Sequence, residues 1–417
     1  RTSEPSARPR SVRRPAMTRR PAVHQVLATL GYGDAIGHEV LGAQQVLQAA
    51  GYESDIFVEA ADRRLEPLTR DYRELVDASH ADNLLIHHFS VGSKASRVAY
   101  ALPDRMALVY HNITPPEYFV GVHQILARQC FHGRRELRAY VDRCDLALGD
   151  SPFNREDLKS LGFPRTDVLP VVPGFSHLDR EPNRFVADRF DDEWTNILFV
   201  GRVVANKKIE DVIAAFHAYH TLFNPRSRLI IVGAFSMFER YWATLHHLVA
   251  ELDQSHVYFA GHVADEELTA YYDIADLYLC ASEHEGFCVP LVEAFYKQVP
   301  VLAYAATAVP ATMDGAGVLF HDKDPKHMAA LMDAILSDTR LQDAIVAEQT
   351  AAVARLRSID FGKTLVGFVE RILRGPRATG PKVAADFWQQ FDAAEELEEL
   401  RMVRPAAYRA LPLRDTL

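Results

Sequence analysis

The 417-residue chain contains only four cysteines, Cys130, Cys144, Cys280 and Cys288, and no C-x-x-C pair. This scarcity argues against a disulfide framework or a cysteine zinc site, so the thiols are expected to be reduced. The chain also lacks any run of about 18 apolar residues, the length that a membrane-spanning helix needs, and it shows no apolar signal-peptide segment. These absences favour a cytoplasmic protein.

An excess of positive charge is lacking too, because the formal net charge at pH 7 is −10. Nonspecific nucleic-acid binding depends on neutralising phosphates, so this balance argues against a nucleic-acid partner. Residues 1–20 are rich in Arg, Pro and Ser and predict a disordered basic tail, in which Met17 is a candidate native start. Residues 375–417 predict an acidic tail that contains one helix, Ala384–Met402.

Short apolar runs alternate with helical patterns along most of the chain, which is typical of parallel α/β layers. The runs are rich in Val, Ile and Leu, as strands buried on both faces are. The predicted strands are His24–Leu30, Ser54–Val58, Asn83–His87, Met106–His111 and Leu146–Leu148 in the first half, and Asn196–Val200, Arg228–Val232, His256–Ala260, Leu277–Cys280, Val299–Ala303 and Gly317–Phe320 in the second.

A charged segment with several prolines, Pro170–Trp194, separates the two sets of strands and is predicted to be a linker. We therefore predict two domains, at residues 21–180 and 181–358. An amphipathic helix at 359–374 follows them and is a candidate to return to the first domain. Open α/β sheets bind ligands at the carboxyl ends of their strands, so functional residues are expected directly after strands.

The first candidate site follows the strand Asn196–Val200. Gly201 ends this strand, and Arg202 and Lys207 follow it ahead of a predicted helix. A guanidinium can fork onto phosphate oxygens and an ammonium adds a mobile charge, so the pattern suits a diphosphate. The alternative is a pair of surface cations on a loop.

The second candidate site follows the strand Leu277–Cys280. Pro290 suits the first turn of a helix that begins near Val289, which places Glu285 in the preceding loop and Glu293 in or near the first turn. The free N–H groups of such a turn bind anions, and two flanking carboxylates can accept hydrogen bonds from sugar hydroxyls. Either glutamate alone is better explained as a surface or helix-start charge.

Glu285 and Glu293 stand in the pattern Glu-Gly-Phe-x-x-Pro-x-x-Glu-Ala, which resembles the E-x7-E motif of family-4 retaining glycosyltransferases. Gly201-Arg202 with Lys207 resembles the phosphate-binding loop of that family. The stretch from Tyr110 to Thr114 resembles the region of its catalytic histidine. The resemblance extends over roughly His24 to Leu373. It implies the GT-B architecture, in which an acceptor-side and a nucleotide-sugar-binding Rossmann-like domain face each other across a cleft.

The resemblance also implies roles for individual residues. Glu285 would contact the transferred sugar, Glu293 the nucleotide ribose, and His111 the donor sugar from across the cleft. Arg202 and Lys207 would neutralise the diphosphate, so that neither a metal nor another cofactor is expected. The sequence Asp322-Lys323-Asp324, which has the pattern D-x-D, is interpreted as a surface loop. Further donor-binding candidates are Gly286, Phe287, Cys288, Val263, Gly33 and Gly37, the last two in a glycine-rich loop where Asp34 departs from the family's commoner second glycine.

The expected partners are a UDP- or GDP-sugar donor and a carbohydrate, lipid-linked or small-molecule acceptor. Two other enzyme classes share the architecture, nucleotide-sugar epimerases and glycosyl phosphorylases, and a non-catalytic sugar-binding protein is a third alternative. Arg128, Arg134, Arg135, Arg138 and Arg143 lie on one predicted helix. This helix is interpreted either as a docking face for an anionic acceptor or the cytoplasmic face of a membrane, or as a solvated helix paired with Glu136 and Asp142.

Overall fold

The computed structural model describes residues 20–33, 35–378, 401–402 and 405–410. The predicted basic tail, Asp34 and most of the predicted acidic tail with its helix lie outside the described residues. The described chain forms two parallel sheets, one of seven strands and one of six. No helix in the described ranges is long and apolar enough to cross a bilayer.

The first sheet has the strand order β3-β2-β1-β4-β5-β6-β7. Its strands are β1 Val23–Leu30, β2 Ile56–Ala61, β3 Arg70–Asp71, β4 Leu84–Phe89, β5 Arg105–Tyr110, β6 Leu146–Gly149 and β7 Thr166–Val168. The helices of this part are α1 Ala35–Ala49, α2 Leu75–Ala78, α3 Lys94–Ala101, α4 Gln124–Ala139 and α5 Pro152–Ser160.

The second sheet has the order β10-β9-β8-β11-β12-β13. Its strands are β8 Thr195–Val200, β9 Ser227–Val232, β10 Val257–Gly261, β11 Leu277–Cys280, β12 Val301–Tyr304 and β13 Val318–Phe320. The remaining helices are α6 Arg184–Phe190, α7 Ile209–Leu222, α8 Glu239–Glu251, α9 Asp265–Asp273, α10 Val289–Tyr296, α11 Val309–Met313, α12 Pro325–Ser337, α13 Thr339–Arg357, α14 Phe361–Arg374 and α15 Pro405–Ala410.

The strand order reverses next to β1 in the first sheet and next to β8 in the second. Helices cover both faces of such sheets, which explains why every residue of β4 and of β11 is buried. Open α/β sheets bind ligands at such reversals, outside the carboxyl ends of the strands. This arrangement confirms the predicted fold of two Rossmann-like domains.

The last long helix of the described chain, α14, packs against the first domain although it follows the second. Leu365, Val369 and Ile372 are buried together with Leu47 of α1. The Arg105 guanidinium donates to the carbonyl oxygen of Ile372 at 2.6 Å. The chain therefore crosses back and ties the two domains together.

The segment predicted as a linker is folded over much of its length. A 3₁₀ turn spans Ser176–Asp179, and α6 begins after Asn183, whose side chain accepts the backbone N–H groups of Phe185 and Val186. Val186 and Phe190 are buried in the second domain. These two apolar residues are one helical turn apart, which is the pattern of a packed helix. The charges and prolines around them obscured this pattern, so composition alone suggested a linker.

Candidate functional site

The carboxyl ends of the two sheets meet at the loop between β11 and α10. The Asn112 side-chain amide, after β5, donates to the carbonyl oxygen of Glu285 at 3.3 Å. The Tyr118 hydroxyl donates to Glu283 at 2.9 Å. A Cβ on Gly286 would lie 2.9 Å from the carbonyl oxygen of His111, so glycine here permits close contact between the domains.

Lys207 and Glu285 form a buried ion pair in this loop cluster. The Lys207 Nζ lies 2.6 and 2.8 Å from the two carboxylate oxygens of Glu285. The side chains are 18% and 7% exposed. Burial alone would lower the pKa of Lys207, but the adjacent Glu285 carboxylate outweighs it and raises this pKa. A paired cation and carboxylate can receive one ligand that carries both an anionic group and hydroxyls.

Backbone contacts hold the Glu285 loop against its neighbours. The Asn206 side chain donates to the carbonyl oxygen of His284 at 2.9 Å, and the Glu285 N–H donates to the Thr307 hydroxyl at 2.9 Å. Thr312 Oγ1 donates to the carbonyl oxygen of half-buried Phe287. Two segments, the turn at Ala205–Lys207 and the region of α11, therefore hold the Glu285 loop in place before any ligand arrives.

Glu293 is the fifth residue of α10, one position past its first turn and therefore near that turn, as predicted. Cys288 is the N-cap, at a φ of 76°, and Pro290 is the second helical residue. The Glu293 carboxylate is buried and receives two donors, His177 Nε2 at 2.9 Å and the Tyr272 hydroxyl at 3.0 Å. Its free lone pairs remain able to accept further hydrogen bonds.

The His177–Glu293 contact predicts a pH dependence of stability. The hydrogen bond with Glu293 raises the pKa of His177 above its ordinary value. A histidine with a raised pKa stabilises the fold fully below the unfolded-state pKa of about 6.5, and this contribution is lost as pH rises through the folded-state pKa. His177→Gln retains a donor that does not titrate.

We expect the free energy of unfolding to fall more steeply with rising pH in the wild type than in His177→Gln, over the window that begins near pH 6.5. Urea unfolding at several pH values measures the difference between the two proteins. Equal slopes would show that the pair does not couple to folding.

The other predicted donor-binding residues lie at the carboxyl ends of strands or at the start of α1. The exposed Arg202 follows Gly201, with its guanidinium 5.5 Å from the centroid of the Phe238 ring. Gly33 adopts a φ of 76° just before α1, and Gly37 is buried within that helix. Val263 is half-buried between β10 and α9, at the carboxyl end of the second sheet.

His111 follows β5, and its side chain is only 2% exposed. Its Nε2 lies 3.0 Å from His88 Nδ1, and its Nδ1 lies 3.6 Å from a carboxylate oxygen of Asp150. The structure thus places the His111 backbone at the domain contact and its ring among buried polar groups of the first domain.

The arginine-rich segment is not a solvated helix whose arginines pair with Glu136, and the docking interpretation stays a prediction. Arg143 is buried and donates to the carbonyl oxygens of Tyr100, Leu102 and Asp104. Glu136 is buried on α4 and pairs with Arg97 of α3 at 3.0 Å. The five arginines consequently do not share one exposed face, because Arg143 follows the end of α4 and is buried.

The four cysteines are buried and none forms a disulfide. Two groups of side chains bring their ligand atoms within 4.8 Å of one another, Cys280 with Glu285 and Cys288, and Glu39 with His88 and His111. A metal-independent site therefore stays a prediction. Asp324 has a structural role, because one oxygen of its carboxylate caps α12 through the N–H groups of Lys326 and His327.

Several residues that complete the site were not identified by any sequence motif. These residues come from six different segments of the chain and are Asn206, Thr307, His177, Tyr272, His88 and Asp150. His177 is the clearest example, since it belongs to the predicted linker. Only the fold brings these side chains to the motif residues.

Comparisons with known proteins agree with this geometry. The model of the family "Glycosyl transferases group 1" matches residues 179–351. The chain is 30% identical over 322 residues to an alpha-monoglucosyldiacylglycerol synthase from Acholeplasma laidlawii, covering 70% of this chain and 78% of the relative. It is 27% identical over 175 residues to mannosylfructose-phosphate synthase from Agrobacterium fabrum, covering 38% of this chain and only 37% of that relative's length.

Among solved structures, the fold is similar to that of Anabaena HepE in complex with UDP-glucose. The TM-score is 0.66 at 15% identity, over 84% of this chain and 99% of the other. At so low an identity, the comparison shows only that the two folds are alike.

Proposed function

The chain belongs to the group 1 glycosyl transferases, of the family-4 type that its motifs predicted, and we propose that it transfers a sugar from a nucleotide-diphospho-sugar to an acceptor hydroxyl. The observation that carries this proposal is the buried Lys207–Glu285 pair, which lies beside Cys288 at the start of α10, the helix that also carries Glu293. Cation, carboxylates and helix N-terminus together suit a ligand with a diphosphate flanked by two sets of hydroxyls.

The donor would bridge the two glutamates. Glu293, fixed by Tyr272 and His177, accepts hydrogen bonds from the ribose hydroxyls. Lys207 turns from Glu285 toward the diphosphate, which frees the Glu285 carboxylate for hydroxyls of the sugar. Arg202 adds a second cation, and the N–H groups at the start of α10 supply further donors without a metal.

Transfer would retain the anomeric configuration. The bond from the anomeric carbon to the diphosphate oxygen breaks, and the acceptor oxygen forms its bond on the same face. The acceptor proton passes to the departing β-phosphate oxygen, which the cations hold in place. No carboxylate of the chain acts as a covalent nucleophile, and an α-linked donor gives an α-linked product.

The UDP-glucose complex of HepE supports a UDP-sugar as donor, and the mannosyl and glucosyl names of the relatives support a hexose as the transferred sugar. A GDP-sugar is the alternative donor. Carbohydrate, lipid-linked and small-molecule acceptors are all compatible with this proposal. A sugar epimerase or phosphorylase of the same architecture is the main competing function.

Incubation of the protein with donor alone, donor plus acceptor extract, and donor plus phosphate separates these functions. We expect glycoside only in the presence of acceptor, and an α-anomeric proton in the nuclear magnetic resonance spectrum of the product. A β-linked product from an α-donor would refute retention. Formation of an altered nucleotide-sugar in the absence of acceptor would show that the protein is an epimerase. Formation of a sugar phosphate when phosphate is added would show that it is a phosphorylase.

A further inference from the structure

Three buried polar side chains of the first domain form a chain of hydrogen bonds that ends on His111. Gln25 Oε1 lies 2.9 Å from His88 Nε2, and His88 Nδ1 lies 3.0 Å from His111 Nε2. All three residues are buried. Their polar atoms must therefore be matched within the protein, which restricts where each proton can lie.

The orientation of the Gln25 amide fixes the first proton. Its nitrogen donates to the carbonyl oxygen of Val40 at 3.1 Å, so its oxygen is the atom that faces His88. An amide oxygen only accepts, so His88 Nε2 must carry a hydrogen. Burial, and next the neighbouring His111, hold the pKa of His88 well below its usual value. His88 is therefore neutral, with a bare lone pair on Nδ1.

That lone pair fixes the second proton, since His111 Nε2 must be a donor to satisfy it. The ring planes are inclined by only 12°, and the ring centroids are 5.2 Å apart. These values place the rings nearly edge to edge, with the two nitrogens pointing at each other. A metal ion needs lone pairs that converge on it, so this geometry fits a shared hydrogen better than ligation.

The second nitrogen of His111 faces a carboxylate. Its Nδ1 lies 3.6 Å from Asp150, which is itself hydrogen-bonded to the side chain of Asn154. With Nε2 already protonated, a neutral His111 would turn a bare nitrogen toward that carboxylate. A proton on Nδ1 replaces this repulsion by an ion pair.

The titratable groups around His111 are His87 and His88 of β4, Glu39 of α1 and Asp150 after β6. Burial raises the pKa of Glu39 to about 7. The Oε1 of this carboxyl is buried and has no hydrogen-bond partner in the described part of the chain. Glu39 is therefore only partly ionised near neutral pH, and Asp150 is the principal counter-charge.

We propose that Gln25 and His88 are positioning residues that hold His111 as an imidazolium, with Nε2–H on His88 and Nδ1–H toward Asp150. The imidazolium is a fixed positive charge on the first-domain side of the cleft. The effect of this charge on catalysis rests on the proposed function. The neighbouring Asn112 contacts the Glu285 loop, so the charge lies close to the site where the diphosphate departs. Such a charge favours the negative charge of the leaving group.

The proton positions are measured without any substrate. Long-range ¹H–¹⁵N spectra of the full chain with labelled histidine report which ring nitrogens carry hydrogen, and His88→Asn and His111→Asn assign the two rings. We expect His88 neutral with hydrogen on Nε2, and His111 protonated on both nitrogens near neutral pH. A bare Nε2 on His111 would overturn the proposal, whether or not the protein transfers sugar.

The pH profile of kcat/KM tests the consequence. His88→Phe removes the nitrogen that accepts the hydrogen of His111 Nε2 and so disfavours the imidazolium. The fall of kcat/KM at high pH, the basic limb of the profile, should therefore move to lower pH by about one unit. His88→Asn retains an amide oxygen near the position of Nδ1 and should keep the basic limb in place. Gln25→Met, which removes only the partner of His88, should shift the limb in the same direction by less and replaces His88→Phe if that variant does not fold.

An identical basic limb in His88→Phe and the wild type would contradict the positioning role. Absence of all transfer by the wild type would instead refute the proposed function, and the spectra would then decide the proton positions alone.

Discussion

Replacing Glu285 by glutamine is expected to lower kcat by about 10²–10³-fold, the range that loss of one preorganised electrostatic group typically costs. The substitution keeps the size and hydrogen-bonding shape of the side chain but removes the charge that positions Lys207 at 2.6 Å. The sugar hydroxyls would lose their charged acceptor, whereas the nucleotide contacts of Glu293 would persist. Steady-state kinetics with saturating donor, and nucleotide affinity by calorimetry, measure the two effects separately.

Glu283→Gln is the matched control for this variant. Glu283 carries the same charge in the same loop, but it pairs with Lys323 at 2.9 Å instead of Lys207. Its turnover should stay close to that of the wild type. Wild-type turnover in Glu285→Gln would refute the role assigned to Glu285, and an equal loss in both variants would attribute the effect to the loop charge in general.

Replacing Glu293 by alanine is expected to weaken nucleotide binding by about 10- to 100-fold. Hydrogen bonds to a charged group contribute about 1.5–3 kcal/mol, and each 1.4 kcal/mol is about tenfold in affinity. The effect should appear in the dissociation constant of the nucleotide diphosphate, because the ribose contact does not depend on the sugar. Removal of the carboxylate also takes away the acceptor of His177 and the shorter of two acceptors of the Tyr272 hydroxyl, so a loss of thermal stability is expected as well.

Tyr272→Phe separates these two consequences. It removes one donor to Glu293 but leaves the carboxylate in place. We expect a smaller loss of affinity than in Glu293→Ala. Unchanged nucleotide affinity in Glu293→Ala, in a protein that remains folded, would contradict the ribose contact.

The sequence predicted the central strands well because burial on both faces leaves a continuous apolar run. The bounds of β11, Leu277–Cys280, agree with the prediction, and β8 differs by one residue at its start. The missed strands, β3 at Arg70–Asp71 and β7 at Thr166–Val168, are short, polar and at opposite edges of the first sheet. Their pairing depends on the neighbouring strand and leaves no pattern of its own.

The motif residues were located by local spacing, whereas their contacts were not predictable from it. Lys207 and Glu285 are 78 residues apart and meet only because both follow strands that are adjacent in the second sheet. His177 reaches Glu293 over 116 residues from a segment that composition assigned to a linker. The proton positions on His111 likewise depend on Gln25, 63 residues away from His88.

Nucleotide-dependent thermal stability is the most direct test of a donor site built from Lys207, Glu285 and Glu293. Wild-type protein and Glu293→Ala are melted with UDP, GDP, ADP and their sugars, with exposed Glu251→Ala as a surface control. A ligand at 100 times its dissociation constant stabilises a protein by about 2.7 kcal/mol, so one base should raise the wild-type Tm clearly. The shift should persist in Glu251→Ala and shrink in Glu293→Ala. If no nucleotide shifts the wild-type Tm, or if Glu293→Ala responds as the wild type does, the proposed donor site is wrong.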